Sequence, residues 1–231
     1  MLLTRKAEQI LKNADVILYD ALVSDEIREL FSKNAKLIDV GKRADNHTYP
    51  QGEINRMLVE QARDHVTVAR IKGGDPYVFG RGGEEAEELI KNGIDVEVIP
   101  GITSAIAAPA YAGIPVTHRE YASSLTIITG HEDPTKGESA LNFKALASIK
   151  GTIVILMGIK RLKDNVETLI SNGKSPDTPV AIIEKGTTPE QRVTTGTLGT
   201  IVDISNEKGV EAPAIIVIGD VVSLQKVLGK K

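Results

Sequence analysis

Two glycine pairs, Gly73-Gly74 and Gly82-Gly83, stand in the stretch RIKGGDPYVFGRGGEE at residues 70–85, with an Asp-Pro step, two aromatic residues and an arginine between them. Glycine raises the entropic cost of folding, so a cluster this dense marks a backbone path that side chains would obstruct. It is either a plain turn or a cradle whose main-chain N–H groups face a ligand. Pro76 fixes one torsion beside the first pair, and Asp75 offers an acceptor for a hydroxyl or amine. In PGITSA, Thr103 and Ser104 precede a run of small residues, where a ligand can approach a helix N-terminus or the hydroxyls can simply cap it. In LMGIKR, Met157 can pack on a flat apolar ligand or lie in the core. GRGGEE lacks the Gly-Lys-Ser/Thr of a phosphate loop, and Glu85 stands where a dinucleotide fingerprint requires glycine, which weakens both kinase and dinucleotide readings.

The elements before these segments decide where they lie. Runs rich in valine and isoleucine predict strands at 15–19, 36–40, 66–71, 95–99, 125–129, 152–157, 179–184 and 213–218. Helical spacing recurs between them, in Ile54, Met57 and Leu58 and again in Leu162, Val166, Leu169 and Ile170. Strand and helix in alternation predict an α/β protein with largely parallel sheets. Thr4 is placed to cap an opening helix that carries Ala7, Ile10, Leu11 and Ala14. After Glu184 the pattern becomes short β-prone pieces joined by turns, QRVTTGTLGTIVDI, which predicts antiparallel strands and a mixed second sheet. GIPVTHREYASS interrupts the alternation, and a domain boundary placed there divides the chain into residues 1–113 and 114–231. Ligands of open α/β sheets bind beyond the carboxyl ends of strands, where all three loops fall.

Composition narrows the function classes. The 231 residues carry 28 basic and 31 acidic side chains, for a net charge of −3, and only 3% are aromatic. That balance argues against a nucleic-acid surface. There is no cysteine, which excludes disulfides and thiolate metal sites and makes an intracellular, cytoplasmic location the default. His47, His65, His118 and His131 lie far apart and show no metal-ligand spacing, so no metal is expected. The apolar runs GTIVILMGI and APAIIVIG are strand length and too short to span a bilayer, and the opening MLLTRKAEQILKNAD does not read as a signal or transit segment.

The ordered series VILYDALVSDEI, VGKRADNHTYPQGEIN, GGDPYVFGRGGEEAEEL and IPGITSAIAAPAYAGIPVTHRE resembles the uroporphyrinogen-III C-methyltransferases, within the tetrapyrrole methylases. The likeness runs from about Leu2 to PAIIVIGDVV, and it is looser in TPVAIIEKGTTPEQR. It implies two α/β domains with an S-adenosylmethionine cleft between them, the N-terminal domain on the substrate side, the C-terminal domain on the cofactor side, and a homodimer. By this likeness the cofactor contacts are Gly73, Gly74, Asp75, Val78, Thr103, Ser104, Met157 and Gly186, with Ala214 a further member. The implied reaction converts uroporphyrinogen III through precorrin-1 to precorrin-2. Asp20 is implied as proton acceptor and Lys42 as proton donor, although residue type alone favours a loop cap and a solvated charge. The polycarboxylate substrate calls for cations, with Arg43, Arg81 and Arg119 in the matched motifs and Arg161 and Lys185 as weaker choices. Gly82-Gly83 is expected to open a helix in which Glu84 and Glu85 serve the dipole.

Members of that family begin with a strand and a glycine-rich loop ahead of the segment that is Leu2-Leu3-Thr4 here, so a first sheet short of one strand is expected. Two other functions fit the residues: a methyltransferase for a later corrin intermediate, and a non-catalytic protein that binds the cofactor or a tetrapyrrole. A purely structural protein gives no reason for glycine-rich loops at strand ends.

Overall fold

The computed structural model describes residues 2–41, 49–132 and 139–229. The chain divides into two compact units, Met1–Thr103 and Ser104–Lys231.

In the first unit the order is α1 (Arg5–Asn13), β1 (Val16–Tyr19), α2 (Asp25–Arg28), β2 (Lys36–Asp39), α3 (Gln51–Asp64), β3 (Val68–Ile71) and α4 (Gly82–Lys91). The Thr4 hydroxyl accepts the Ala7 N–H at 3.3 Å, capping α1 as its sequence position predicts. The three strands are parallel in the order β2-β1-β3, with Tyr19 opposite Asp39 on one side and Ile71 on the other. Because side chains alternate along a strand, β1 feeds two apolar layers. Ile17 packs with Leu11, Val23 and Phe31, while Val16 and Leu18 pack with Ile54 and Leu58. A parallel sheet covered on both faces has this pattern, and each fully buried Leu or Ile contributes about 1.5–3 kcal/mol.

The expected strand at 95–99 does not form. Its alternation persists, with Asp95 and Glu97 exposed and Val96 and Val98 half-buried. A strand exists only through a ladder, however, and among the described residues no strand pairs with this segment. The 66–71 run also shortens to Val68–Ile71, leaving Val66 98% exposed.

The second unit runs α5 (Ser104–Tyr111), β4 (Leu125–Thr129), α6 (Phe143–Ser148), β5 (Thr152–Leu156), α7 (Leu162–Ser171), β6 (Pro179–Glu184), β7 (Arg192–Thr197), α8 (Ile201–Glu207), β8 (Ala214–Ile218) and α9 (Gln225–Leu228). Its sheet has the order β4-β5-β8-β6-β7. β4 and β5 are parallel, β8 is antiparallel to β5 and β6, and β7 is antiparallel to β6. The sheet is therefore mixed, as the change of pattern after Glu184 predicts. IVDI, expected among the β-prone pieces, instead opens α8, whose buried residues Ile201 and Ser205 lie one helical turn apart. The main core lies on one face of the sheet, where Ile153, Ile155, Ile182 and Ile216 meet Leu162, Val166 and Leu169 of α7.

Helix α5 belongs to this second unit, so the division falls at 103/104 rather than at the expected 113/114. The reason is its small buried face, Ala105, Ala107 and Ala108, which lets the helix lie close against β5 and β8. Among the described residues no helix is long and apolar enough to cross a membrane.

Candidate functional site

β1 and β3 are in register and parallel, so Asp20, directly after Tyr19, comes beside Lys72, directly after Ile71. Arg70 and Lys72 occupy alternate positions on the same side of β3 as Leu18 and Asp20 on β1. The apolar layer of Leu18 and Leu58 thus ends in a charged cluster. One Arg70 NH2 group donates to Asp20 Oδ1 at 2.6 Å, and Arg70 Nε donates to Glu85 Oε1 at 3.3 Å. Lys72 Nζ donates to Glu85 Oε1 at 3.0 Å and lies 3.8 Å from Asp20 Oδ2. Gln51 of α3 also donates to Glu85 Oε1, at 3.1 Å. The side chains of Glu85, Lys72 and Arg70 are 5%, 8% and 12% exposed, against 29% for Asp20. Two carboxylates and two cations balance in charge, and Asp20 is the end of the cluster that reaches solvent.

The loop after β3 is built by Asp75. Its Oδ1 accepts the Tyr77 N–H at 2.8 Å and its Oδ2 accepts the Gly101 N–H at 3.0 Å, tying this loop to PGITSA. Val78 is held in the same turn, donating its N–H to the Asp75 carbonyl at 3.2 Å. Gly73 and Gly74 remain exposed, and Gly74 sits at φ 81°, where a side chain would be strained. A Cβ on Gly101 would lie 2.1 Å from the Gly74 carbonyl oxygen, so glycine at 101 is what lets the two loops touch. The result is a bare stretch of main chain braced from beneath, the form a ligand cradle takes. Thr103 follows in the PGITSA loop.

In the second unit, parallel β4 and β5 and antiparallel β8 bring several strand ends to one edge. Leu156 pairs with Thr129 and Ile215, and Glu184 pairs with Ala214. Met157, Gly186 and Ala214 therefore lie at the same end of this sheet. Met157 is 54% exposed at φ 55°, so it is not the core methionine that its apolar setting allowed. Lys185 and Thr187 also have positive φ, 44° and 71°. Non-glycine residues in this region each cost about 1–3 kcal/mol, and such strain gathers at ligand-holding loops. Gly186, between them, passes so close to α5 that a Cβ would fall 2.4 Å from the Ala108 methyl. Ser104 is the exposed first residue of α5.

Other expected residues stand apart. Lys42 and Arg43 lie outside the described residues. Gly41, just before them, abuts Ala21, where an added Cβ would meet the Ala21 nitrogen at 2.2 Å. Arg81 donates to both oxygens of Glu84, at 2.9 and 2.6 Å, and this pairing holds the Glu84 carboxyl below its ordinary value. Arg119 is exposed on the short turn closed by His118 and Ala122. Gly82 does open α4, yet Glu85 is buried in the charged cluster instead of lying at the helix surface. Among the described residues no cluster of three or more acidic or histidine side chains is arranged to hold a metal.

Sequence reasoning missed Arg70, Lys72 and Glu85. The signal was present: charges at alternate positions of an otherwise apolar strand are costly unless a partner waits on the same face.

The chain is similar to known proteins along nearly all of its length. Residues 1–202 match the family model described as Tetrapyrrole (Corrin/Porphyrin) Methylases. The chain is 57% identical over its whole length to the "S-adenosyl-L-methionine-dependent uroporphyrinogen III methyltransferase" of Methanosarcina barkeri, covering 90% of that protein. It is 52% identical, over 96% of its length and 92% of the relative, to the "Uroporphyrinogen-III C-methyltransferase" of Methanocaldococcus jannaschii. Among solved structures, the uroporphyrin-III C-methyl transferase of Thermus thermophilus complexed with S-adenyl homocysteine superposes with a TM-score of 0.82 at 36% identity, over 96% of this chain and 93% of that one. This chain belongs to the tetrapyrrole methylase family.

Proposed function

We propose that the protein is an S-adenosylmethionine-dependent methyltransferase that methylates ring carbons of uroporphyrinogen III, giving precorrin-2 by way of precorrin-1. The observation that carries this reading is local to the first unit: bare main chain at Gly73 and Gly74 follows β3, and the Asp20 carboxylate follows the adjacent β1. When bound, the cofactor supplies a methyl group already activated on a sulfonium. The protein's remaining tasks are alignment and proton handling.

Each methyl arrives formally as a cation, so the macrocycle sheds one proton for each methyl it gains. Asp20 is assigned to accept it, and Lys42 to donate where a ring position must be protonated. Gly73, Gly74, Asp75, Val78 and Thr103 in the first unit, and Ser104, Met157, Gly186 and Ala214 in the second, are assigned to the cofactor. Exposed main chain supports the glycines, and exposure in a strained conformation supports Met157. Asp75 acts chiefly through the loop it holds, since both its oxygens already accept backbone N–H groups. Arg43, Arg81 and Arg119 are assigned to substrate carboxylates, which requires Arg81 to exchange Glu84 for a substrate group. A homodimer in the cytoplasm, acting on a small molecule rather than on nucleic acid, completes the proposal.

The test is transfer of a radiolabelled methyl to uroporphyrinogen III and, separately, to precorrin-2, alongside calorimetric titration with S-adenosylhomocysteine. Labelling of uroporphyrinogen III is expected. Labelling of precorrin-2 alone would instead assign a later corrin intermediate, and binding heat without transfer to either acceptor would assign a binding protein.

A further inference from the structure

The placement of Glu85 is not explained by helix capping. Glu84, its neighbour, satisfies the positive end of α4 from the surface, with its side chain 55% exposed and paired to Arg81. Glu85 is instead buried to 5% exposure at its side chain, where a carboxylate is costly unless cations surround it. One of its two oxygens, Oε1, gathers Arg70 Nε, Lys72 Nζ and Gln51 Nε2. Both cations also reach Asp20, Arg70 by a 2.6 Å hydrogen bond and Lys72 at 3.8 Å. Arg70 is further fixed by donating NH1 to the Ile71 carbonyl at 3.0 Å.

Resting on the assignment of Asp20 as proton acceptor, the geometry points to Glu85 as a positioning residue for that acceptor. Glu85 draws the two cations into the interior and splits their charge between two carboxylates, which leaves Asp20 oriented by the Arg70 hydrogen bond with Lys72 held closer to Glu85, at 3.0 Å, than to Asp20, at 3.8 Å. Without the Glu85 charge, Lys72 and Arg70 have one anion to satisfy, and it is Asp20. Lys72, now 3.8 Å away, would close on its carboxylate beside Arg70 and tie it up, so methyl transfer would slow while the loop built by Asp75 and Gly101 stays intact.

The test is a double-mutant cycle on kcat with Glu85→Gln and Asp20→Asn, with S-adenosylhomocysteine affinity measured for each variant. Glu85→Gln alone is expected to lower kcat on the order of 10- to 100-fold, the size of effect that misplacement of a reacting group produces, with cofactor affinity unchanged. In the Asp20→Asn background the same substitution is expected to have almost no further effect, because its target is already gone. A role in folding alone predicts losses that multiply, and that outcome overturns the inference. If Glu85→Gln does not fold, Glu85→Gln combined with Lys72→Met, which removes one charge of each sign, is taken through the same cycle. There a kcat that falls equally with and without the Asp20 carboxylate overturns the inference. If Asp20→Asn itself leaves the rate unchanged, the acceptor assignment fails, and the inference fails with it. An Asp20→Asn loss that is multiplied in full by the second substitution sinks only the inference.

Discussion

Arg70 donates to the Asp20 carboxylate at 2.6 Å across two adjacent parallel strands, and the pair sits at the carboxyl end of the sheet where β1 and β3 run out. The strand register, with Tyr19 opposite Ile71, sets that meeting, and the buried Glu85 behind it fixes the arginine. A carboxylate held in one orientation by a planar guanidinium presents its oxygens in a fixed direction, which the proposed role of proton acceptor requires.

Asp20→Asn keeps an oxygen for Arg70 and removes the proposed base. Methyl transfer should slow by roughly 10²–10⁴-fold, the usual contribution of a positioned acid or base, while S-adenosylhomocysteine binds as before. Steady-state kinetics with calorimetry measures both, and an unchanged rate removes Asp20 from the chemistry.

Two glycines only 18 positions apart should respond in opposite directions. A methyl at 101 collides with the Gly74 carbonyl at 2.1 Å, so Gly101→Ala should displace the loop proposed to hold the cofactor, weaken S-adenosylhomocysteine binding at least about tenfold and lower the melting temperature. A methyl at 83 meets nothing within 4 Å, and Gly83→Ala within α4 should stabilise by about 0.5–1 kcal/mol with binding intact. Equal behaviour of the two variants would contradict the loop contact.

Asp75→Asn offers one oxygen where two are in use. Its carbonyl can serve Tyr77 or Gly101 but not both, and the amide N–H₂ then faces an N–H donor. A loss of about 0.5–1.5 kcal/mol in stability, with weaker cofactor binding, follows from losing one of these two partly solvated hydrogen bonds. Chemical denaturation of the variant measures the first and calorimetry the second.

The second unit carries a pH-dependent pair. Burial pushes the Glu184 carboxyl up, but hydrogen bonds from Arg192 at 2.7 and 2.6 Å and from the Glu211 N–H at 3.0 Å overcome it, leaving the group below its ordinary value of 4.5. A depressed carboxylate adds stability that is present above the unfolded value and lost as pH falls through the folded one. Wild type should therefore melt above Glu184→Gln at neutral pH, and the gap should close as the pH drops below 4.5. A gap that stays constant into acid would contradict the pairing.

The strands were legible in the sequence where the pattern finds a partner strand: 125–129 and 179–184 match β4 and β6 residue for residue. The 95–99 segment has the same alternation and is not a strand, because pairing depends on a neighbour that periodicity does not report. The bare loop after β3 was legible because Gly73-Gly74 stands out in the sequence and Gly74 takes a positive φ, whereas the need for glycine at 101 shows only in its contact with the Gly74 carbonyl. Glu85 was not, since a helix N-terminus explains an acidic residue equally well at 84 and 85, and only burial separates them. Met157 was likewise open between a ligand-facing and a core position, and its exposure at a positive φ takes it out of the core.

The central claim is tested most directly by incubating the chain with uroporphyrinogen III and S-adenosylmethionine bearing a deuterated methyl, then weighing the tetrapyrrole product by mass spectrometry. Two deuterated methyl groups on carbon, with a singly labelled species appearing first, are the predicted result. An unlabelled macrocycle, under conditions where the related Methanosarcina barkeri enzyme labels it, would contradict the account.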